Sequence, residues 1–508
     1  MKPSDDLFRL IKSLDKNEKG YFKKNAQSGS GVKDKNYLLL FDAIDAQESY
    51  NEDALIKKFR GQSFVKQFSV AKNYLWELIL KSQRAYRSGS SKFMRLNALM
   101  ESGEVLFEKG LYEEAMKMWE KAKALAIAFD EKPFILDIET WKRRYYIDLK
   151  ASEWEENTGP SFNLSFQLIE SYHHTLLLQE KYLKIVKFYK TQPFFRSEEI
   201  KNEWAHFMED DILIKEPQDF YGRLYFYYIH NLYALLQNDE ESSFGTIKKI
   251  VELWDANPEL KDAEPVRYIA AVNNYLVTLG KFNRNQEYLD YLDSFKPLEL
   301  NSISKEAIFF EHWWLWKVSG FKMALDLEAY TKFYADTEAD INKFSPYINK
   351  VRWMIIQYEI ALLHLMNNDY NASLAIMNEL IDAKDIDLRK DLQANVRIVY
   401  LLLHYDMQNN LLLDSITRSV KRYLLSNDFY YNTERVFIKH FNRLINAADK
   451  HERKKIFTDM LNELTIVFDE NYTERVAFSN LNILRWINSK ILDMPYPEML
   501  KAATSEKK

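Results

Sequence analysis

The 508-residue sequence predicts an all-α protein, an α-solenoid of stacked helix pairs behind an N-terminal helical cap. Three observations carry this. From residue 92 onward apolar residues recur at three- and four-residue intervals, as in Phe437, Phe441, Leu444, Ile445 and Ala448, or Ile456, Met460, Leu464, Val467 and Phe468. That is the spacing of one face of a helix. Turn formers are scarce: the chain has 12 glycines and 11 prolines, no glycine after Gly320 and no proline between Pro346 and Pro495. Hairpins and sheet corners need such residues. Finally, Tyr347 to Met366 is apolar around nearly its whole circumference, with Ile348, Val351, Trp353, Ile356, Ile360 and Leu363 pointing in different directions. A helix of that kind needs cover on more than one side, as inside a stacked array.

The elements follow in order. Residues 4 to 24 read as two short helices, the first capped by Ser4 and the second by Asp15, which has Glu18 at capping-box spacing. Asn25 to Asn36, NAQSGSGVKDKN, reads as a flexible link. Helices are expected at about 36–48, 51–60 and 64–87, the last with Phe68, Leu75, Leu78 and Ile79 at helical spacing, and Ser88 to Ser91 end the block. Residues 1 to 95 carry 19 Lys and Arg against 11 Asp and Glu, or +8, within a chain of net charge -5, which leaves -13 for the rest. The N-terminal block is electrostatically distinct. We divide the chain into a basic helical block at 1–91, a solenoid at 92–470 and a closing helix with a tail at 471–508.

One stretch is specific. The run GEVLFEKGLYEEAMKMWEKAKALA holds Gly103, Leu106, Gly110, Leu111, Tyr112, Glu113, Glu114, Ala115, Trp119 and Ala122. Gly103 and Ala115 are small where paired helices approach, Gly110 ends the first helix, Tyr112 packs at the turn, and Trp119 fills the space between successive pairs. The run resembles a tetratricopeptide repeat almost position for position, departing at Ser102, where the family has leucine, and near Ile127, where it has proline. Weaker turn signals follow at Asn238-Asp239, Gly280-Lys281-Phe282, Gly320-Phe321, Asn368-Asp369-Tyr370 and Asn409-Asn410, at intervals of 42, 40, 48 and 41 residues. The period of about 40, longer than the family's, implies a degenerate tetratricopeptide-like array. Two irregular pairs are expected between Gly110 and Asn238. Pro133, Pro160, Pro193, Pro217, Pro258, Pro265, Pro297 and Pro346 fall where helices start or links run. Thr473 to Leu492 reads as the closing helix and KAATSEKK as a disordered tail. The N-terminal segments SLDKNEKGYFKKNA, NYLLLFDAID and VAKNYLWELILKSQRAYR are similar to those of bacterial proteins that carry such helical repeats, a resemblance that brings no established activity.

Most chemistry is absent from the pattern. There is no cysteine, which excludes disulfides, thiolate metal sites and cysteine catalysis and fits a reducing cytoplasm. The opening MKPSDDLFRL is charged where a signal peptide has its apolar core, and no stretch approaches the roughly 18 apolar residues of a membrane span, so we expect a soluble cytoplasmic chain. No glycine-rich phosphate loop occurs. The S-x-x-K spacing of Ser69 and Lys72 recurs at Ser13, Ser63 and Ser302 and carries no information. Glu170 and His173 have the E-x-x-H spacing of helical di-iron sites, but such sites need further glutamates and histidines on other helices. They read instead as a surface polar cluster with His174, and His364 and His404 read as core-edge histidines. Aromatic runs such as Leu224–Tyr233 and Phe309–Trp316 read as packing between long helices. No cofactor and no metal is expected, and an enzyme is the least favoured class.

Two functional classes remain. The tetratricopeptide resemblance implies a scaffold whose concave groove holds a peptide or partner protein. On the best repeat that groove would present Asn97, Met100, Glu104, Phe107 and Glu108, and on later ones Arg267, Asn274, Tyr358 and Leu365. Family members that bind chaperone tails need lysine and asparagine there, and Met100 and Glu104 disfavour that partner. The alternative is a nucleic-acid-binding regulator. In that reading the short helix from Glu52, the turn at Gly61-Gln62 and the helix bearing Lys66, Lys72, Lys81, Arg84 and Arg87 form a helix-turn-helix reader, with the solenoid as a sensor arm. Tyr74, Leu75, Trp76, Leu78, Ile79 and Leu80 argue against it, because a helix so apolar is largely buried.

Overall fold

The computed structural model describes residues 5–28, 32–86, 91–149, 152, 154–191, 198–298, 300, 302–383, 390–427, 429–470 and 483–505. Helix accounts for 86% of the chain, and no described residue lies in a strand. Among the described residues no helix is long and apolar enough to cross a membrane. The chain divides into two compact units, Met1–Asp239 with Glu252–Glu264, and Glu240–Val251 with Pro265–Lys508.

The first unit opens with α1 (Asp6–Ser13), α2 (Lys16–Ser28), α3 (Val32–Asp45), α4 (Glu52–Lys58) and α5 (Phe68–Tyr86), the last entered through a 3-10 turn, Ser63–Gln67. Leu7, Ile11, Phe22, Leu40, Phe41, Ile44, Leu75 and Ile79 belong to a core made only of this block. The capping box is present: the Asp15 amide donates to Glu18 Oε2 at 3.0 Å and the Glu18 amide to Asp15 Oδ1 at 2.8 Å. Ser4 lies outside the described residues, as do residues 29–31, but most of the expected link is helical, because Ala26 and Tyr37 pack onto the block's core and extend α2 and α3 into it.

Next come α6 (Lys92–Glu108), α7 (Tyr112–Ala128), α8 (Lys132–Leu149), α9 (Trp154–Thr191), α10 (Glu198–Met208) and α11 (Phe220–Gln237), then α12 (Glu240–Asp255), through which the division passes, and α13 (Pro258–Ala263). α6, α7, α8 and α9 each pack on the next, and α9 packs on α11. Gly110 ends α6 as expected, in the left-handed conformation at φ 77°, and the Leu111 amide reaches back to the Leu106 carbonyl at 2.9 Å. The two irregular pairs expected before Asn238 are replaced by the 38-residue α9 and the short α10. Pro160 sits inside α9 rather than at its start. This early in the helix its missing N–H removes one bond, and the long packed face beyond it outweighs that loss.

The second unit holds the pairs α14 (Pro265–Lys281) and α15 (Asn285–Ser294), α16 (Ile303–Ala324) and α17 (Leu327–Phe344), α18 (Lys350–Met366) and α19 (Tyr370–Asp382), α20 (Lys390–Asp406) and α21 (Asn410–Ser426), and α22 (Asn432–Ile445) and α23 (Lys450–Glu470). α14, α16, α18 and α20 also pack on one another in turn. Each of the first four pairs turns on a left-handed residue, Asn283, Leu325, Asn368 and Gln408, after which an amide closes back onto the helix. The turns expected at Gly280 and Gly320 lie a few residues later. α16 runs straight through Gly320, whose lack of a side chain lets Leu289 and Leu292 approach. As its composition demands, α18 is buried on several sides, at Met354, Ile356, Ile360, Leu362 and Leu363 among others. α24 (Ile483–Leu492) closes the core, within the expected Thr473–Leu492, of which 473–482 lie outside the described residues. The expected disordered tail begins instead as helix: α25 (Tyr496–Ser505) runs through KAATS, anchored by buried Tyr496 and Leu500.

Candidate functional site

The run from Gly103 to Ala126 folds tightly. A Cβ at Gly103 would lie 2.2 Å from Trp119 Nε1, so α6 meets α7 at a contact that only glycine permits. Ala115, Trp119 and Ala122 are fully buried, and the Trp119 ring stacks on Trp141 of α8 at 5.3 Å and lies 5.6 Å from Phe107. The indole thus fills the space between one helix pair and the next helix. Over this core Met100, Phe107 and Trp141 are half-buried, and the Arg144 guanidinium lies 5.9 Å from the Phe107 ring and 5.4 Å from Trp141. Asn97, Glu104 and Glu108 stand in solvent beside them. The five candidate residues of α6 therefore form an aromatic and aliphatic strip with an acidic rim and one cation.

The four later candidates belong to the second unit. Arg267 is half-buried and Asn274 exposed on α14. Tyr358 and Leu365 are interior residues of α18, 4% and 0% exposed, because that helix is covered at their phase. They present no groove surface.

In the N-terminal block, Lys66, Lys81 and Arg84 are exposed and Arg87 lies outside the described residues. Lys72 is occupied: it pairs with Glu52, meets the Tyr50 hydroxyl at 3.2 Å and lies over the Tyr50 and Phe68 rings. Burial raises the Glu52 pKa, but the bonds from Lys72 and Tyr50 outweigh it and hold the carboxyl below its usual value. Lys57, Arg60 and Lys66 line a 340 Å³ surface depression with Asp53, Ile56, Gly61, Gln62 and Val65, and none of the three cations forms an ion pair with a described residue.

The densest chemistry is a network around two buried lysines that the sequence did not announce. Lys92 Nζ lies 2.7 Å from Glu131, pairs with Glu264 and donates to the Tyr221 hydroxyl at 2.5 Å, which donates to Glu264 at 3.0 Å. Lys132 lies 2.8 Å from Asp130 and 3.0 Å from Asp219. Asp219 caps α11 through the Gly222 amide at 2.8 Å and accepts from Thr175 and Ser171 of α9, while the Tyr221 amide donates to Asp130. Both lysine side chains are 5% exposed. Burial, with the Asp219 charge adding, pushes Asp130 up against the pull of Lys132. Burial likewise acts on Asp219, but Lys132, the Gly222 amide and Thr175 hold it low. Every charge in the network is satisfied by another member, so its chemistry is to fix α6, α8, α9, α11 and α13 against one another. The residues are scattered from 92 to 264, and the local signal was only the charged triple Asp130-Glu131-Lys132 between two apolar helices.

A second buried cluster sits on α16. Glu311 lies 3.7 Å from Arg352 Nε, and His312 donates through Nδ1 to the Ile308 carbonyl at 2.8 Å while Arg352 Nη2 approaches its Nε2 at 3.4 Å. Burial pushes Glu311 up to about 7, against Arg352, and pushes His312 down to about 4. Glu170 and His173 are exposed on α9, and Glu203 with His206 repeats their spacing on α10, also exposed. Among the described residues no group of histidines and carboxylates could hold a metal. His404 is buried beside Asn409 at 3.0 Å and His364 meets Asp369 at 3.0 Å, the core-edge placement expected of both. Phe310, Trp314 and Trp316 pack inside.

Comparison of the chain with protein-family models, with curated proteins and with solved structures returns no match.

Proposed function

We propose that the protein is a cytoplasmic interaction scaffold, a degenerate tetratricopeptide-like solenoid that binds a peptide or partner protein rather than turning over a substrate. The observation that carries this is the strip on α6 and α8. Met100, Phe107 and Trp141 offer apolar surface held rigid by the Gly103–Trp119 contact, and Asn97, Glu104, Glu108 and Arg144 supply polar groups at its edge. Rigid aromatic anchors with a polar rim are what binding surfaces concentrate. The acidic rim selects a segment that carries Lys or Arg next to apolar anchors. The test is capture by the intact protein and by Glu104→Lys/Glu108→Lys, whose exposed positions leave the fold intact, followed by titration of the captured segment. Loss of at least tenfold in affinity in the variant is expected, and affinity indifferent to the variant defeats the reading.

The second reading, a nucleic-acid-binding regulator, draws on Lys57, Arg60 and Lys66 around one depression. We expect only weak non-specific binding, because Lys72 is already occupied by Glu52. Tight binding that falls steeply with salt and is lost in Lys66→Glu promotes this reading over the first.

A further inference from the structure

α9 carries apolar residues on both sides. Its inward face buries Leu178 and Ile185 together with small and polar side chains: Thr158, Ser161, Ser165 and Thr175 are all buried, Arg143 donates to both serine hydroxyls at 2.9 Å, and Thr175 donates to Asp219. Its outward face carries Phe162, Phe166, Ile169, Leu176 and Leu183, each between 43% and 64% exposed. Apolar residues exposed singly are ordinary, but a continuous stripe marks a surface that something covers. Phe162, Ile169, Leu176 and Leu183 recur every seven residues, the repeat of a coiled-coil seam, over about 32 Å of helix. The occupant is therefore a helix with the same repeat.

Charge identifies which helix. Residues 154–172 carry Glu155, Glu156 and Glu170 and no cation, or -3. Residues 173–191 carry Lys181, Lys184, Lys187 and Lys190 against Glu180, or +3. Parallel neighbours of this kind would set like charges side by side, whereas an antiparallel copy sets the acidic half of one helix beside the basic half of the other, with Glu155 and Lys190, seven residues beyond either end of the stripe, facing each other. We infer that α9 is a homodimerisation helix that pairs antiparallel with α9 of a second copy of this chain. A twofold axis between Tyr172 and His173 sets Phe162 opposite Leu183 of the second copy, Ile169 opposite Leu176, and Glu155 opposite Lys190, and each contact occurs twice. This interface is separate from the α6 strip and stands whether or not that strip binds a partner.

Sedimentation velocity on the full-length protein, from about 1 to about 100 µM, tests it. The wild type is expected to reach twice its 60.6 kDa mass. Ile169→Glu/Leu176→Glu should stay monomeric with an unchanged helical spectrum. Glu155→Lys and Lys190→Glu should each weaken the dimer several-fold, and the two together in one chain should restore it, since both pairs are then swapped. Because the chain has no cysteine, orientation can be read from engineered disulfides without background. Under oxidation His173→Cys should cross-link with itself, as should a mixture of Phe162→Cys and Leu183→Cys chains, and Phe162→Cys alone should not. A wild type that stays monomeric at about 100 µM, a dimer untouched by Ile169→Glu/Leu176→Glu, or self-linking of Phe162→Cys overturns the inference.

Discussion

In the first unit, two buried lysines meet four half-buried carboxylates and a half-buried tyrosine where five helices meet. In the second, one apolar cluster runs from Ala307 to Leu500, and the buried charges beside it sit in separate small sets: Asp406 with Trp486 Nε1 at 2.9 Å and Lys490 at 2.6 Å, Lys322 with Glu359 at 2.8 Å, and Glu311 next to His312. The contrast is between two ways of choosing neighbours. An apolar core accepts many side chains of suitable volume, while a buried charge accepts only a partner of opposite sign at hydrogen-bond distance. The first unit spends stability to fix which helices meet; the second gains stability from area and fixes its order through short turns.

The largest expected effect tests this difference directly. Lys132→Met keeps length and removes charge, leaving Asp130 and Asp219 half-buried without their cation, and should cost about 3–5 kcal/mol. Leu403→Met, a comparable change of shape at a fully buried position of the second unit, should cost under about 1.5 kcal/mol. Hydrogen exchange read by mass spectrometry on α9 and α11 for the first, and on α20 for the second, separates the two. Equal costs would remove the distinction.

Next is one polar set inside the second unit, on α16. Glu311 titrates near 7 in the fold instead of 4.5, so the folded state holds its proton longer and stability is lost as pH rises between those values. His312 titrates near 4 instead of 6.5, so the unfolded state takes up its proton first and stability is lost as pH falls between those values. Between about 4.5 and 6.5 the two slopes oppose each other, and the pair should leave the melting temperature nearly flat. Glu311→Gln should unmask the acid-side loss and His312→Asn the loss on raising pH. Each is worth at most about 3 kcal/mol. A melting profile against pH for the three proteins checks it.

Gly103→Ala should cost about 1–3 kcal/mol, since the Trp119 ring must move. A melting temperature equal to wild type would mean that α6 and α7 do not meet there. The smallest effect is a gain: Leu325 holds φ 58°, where a branched side chain is strained, and Leu325→Gly should stabilise by about 1 kcal/mol or less in denaturant titration.

The helix pairs were legible because their signals are local. Gly110, Asn238 and Asn368 end helices with bonds spanning five residues, and the roles of Gly103, Ala115 and Trp119 follow from one contiguous run. What was not legible depends on distant partners. Asn97 and Tyr358 were assigned to one kind of face, yet one is exposed and the other buried, because sequence phase gives a helix face without saying how many neighbours cover it. Pro160 and the serines that follow it disguised α9, whose inward hydroxyls make sense only beside Arg143 and Asp219.

The network around Lys92 also sets an order of events during synthesis. Most helices of the chain can close on a neighbour that has just been made. Lys92 meets Glu131 early, but its set of partners is completed only by Tyr221, which follows it by 129 residues, and then by Glu264. At a ribosome's pace of roughly 5–20 residues per second that is a wait of roughly 6–26 s. Through this interval the growing chain carries a finished helix pair beside an open set of charges. The arrival of α11 and then α13 is the moment at which the first unit locks, and a pause in translation before residue 220 would hold it unlocked.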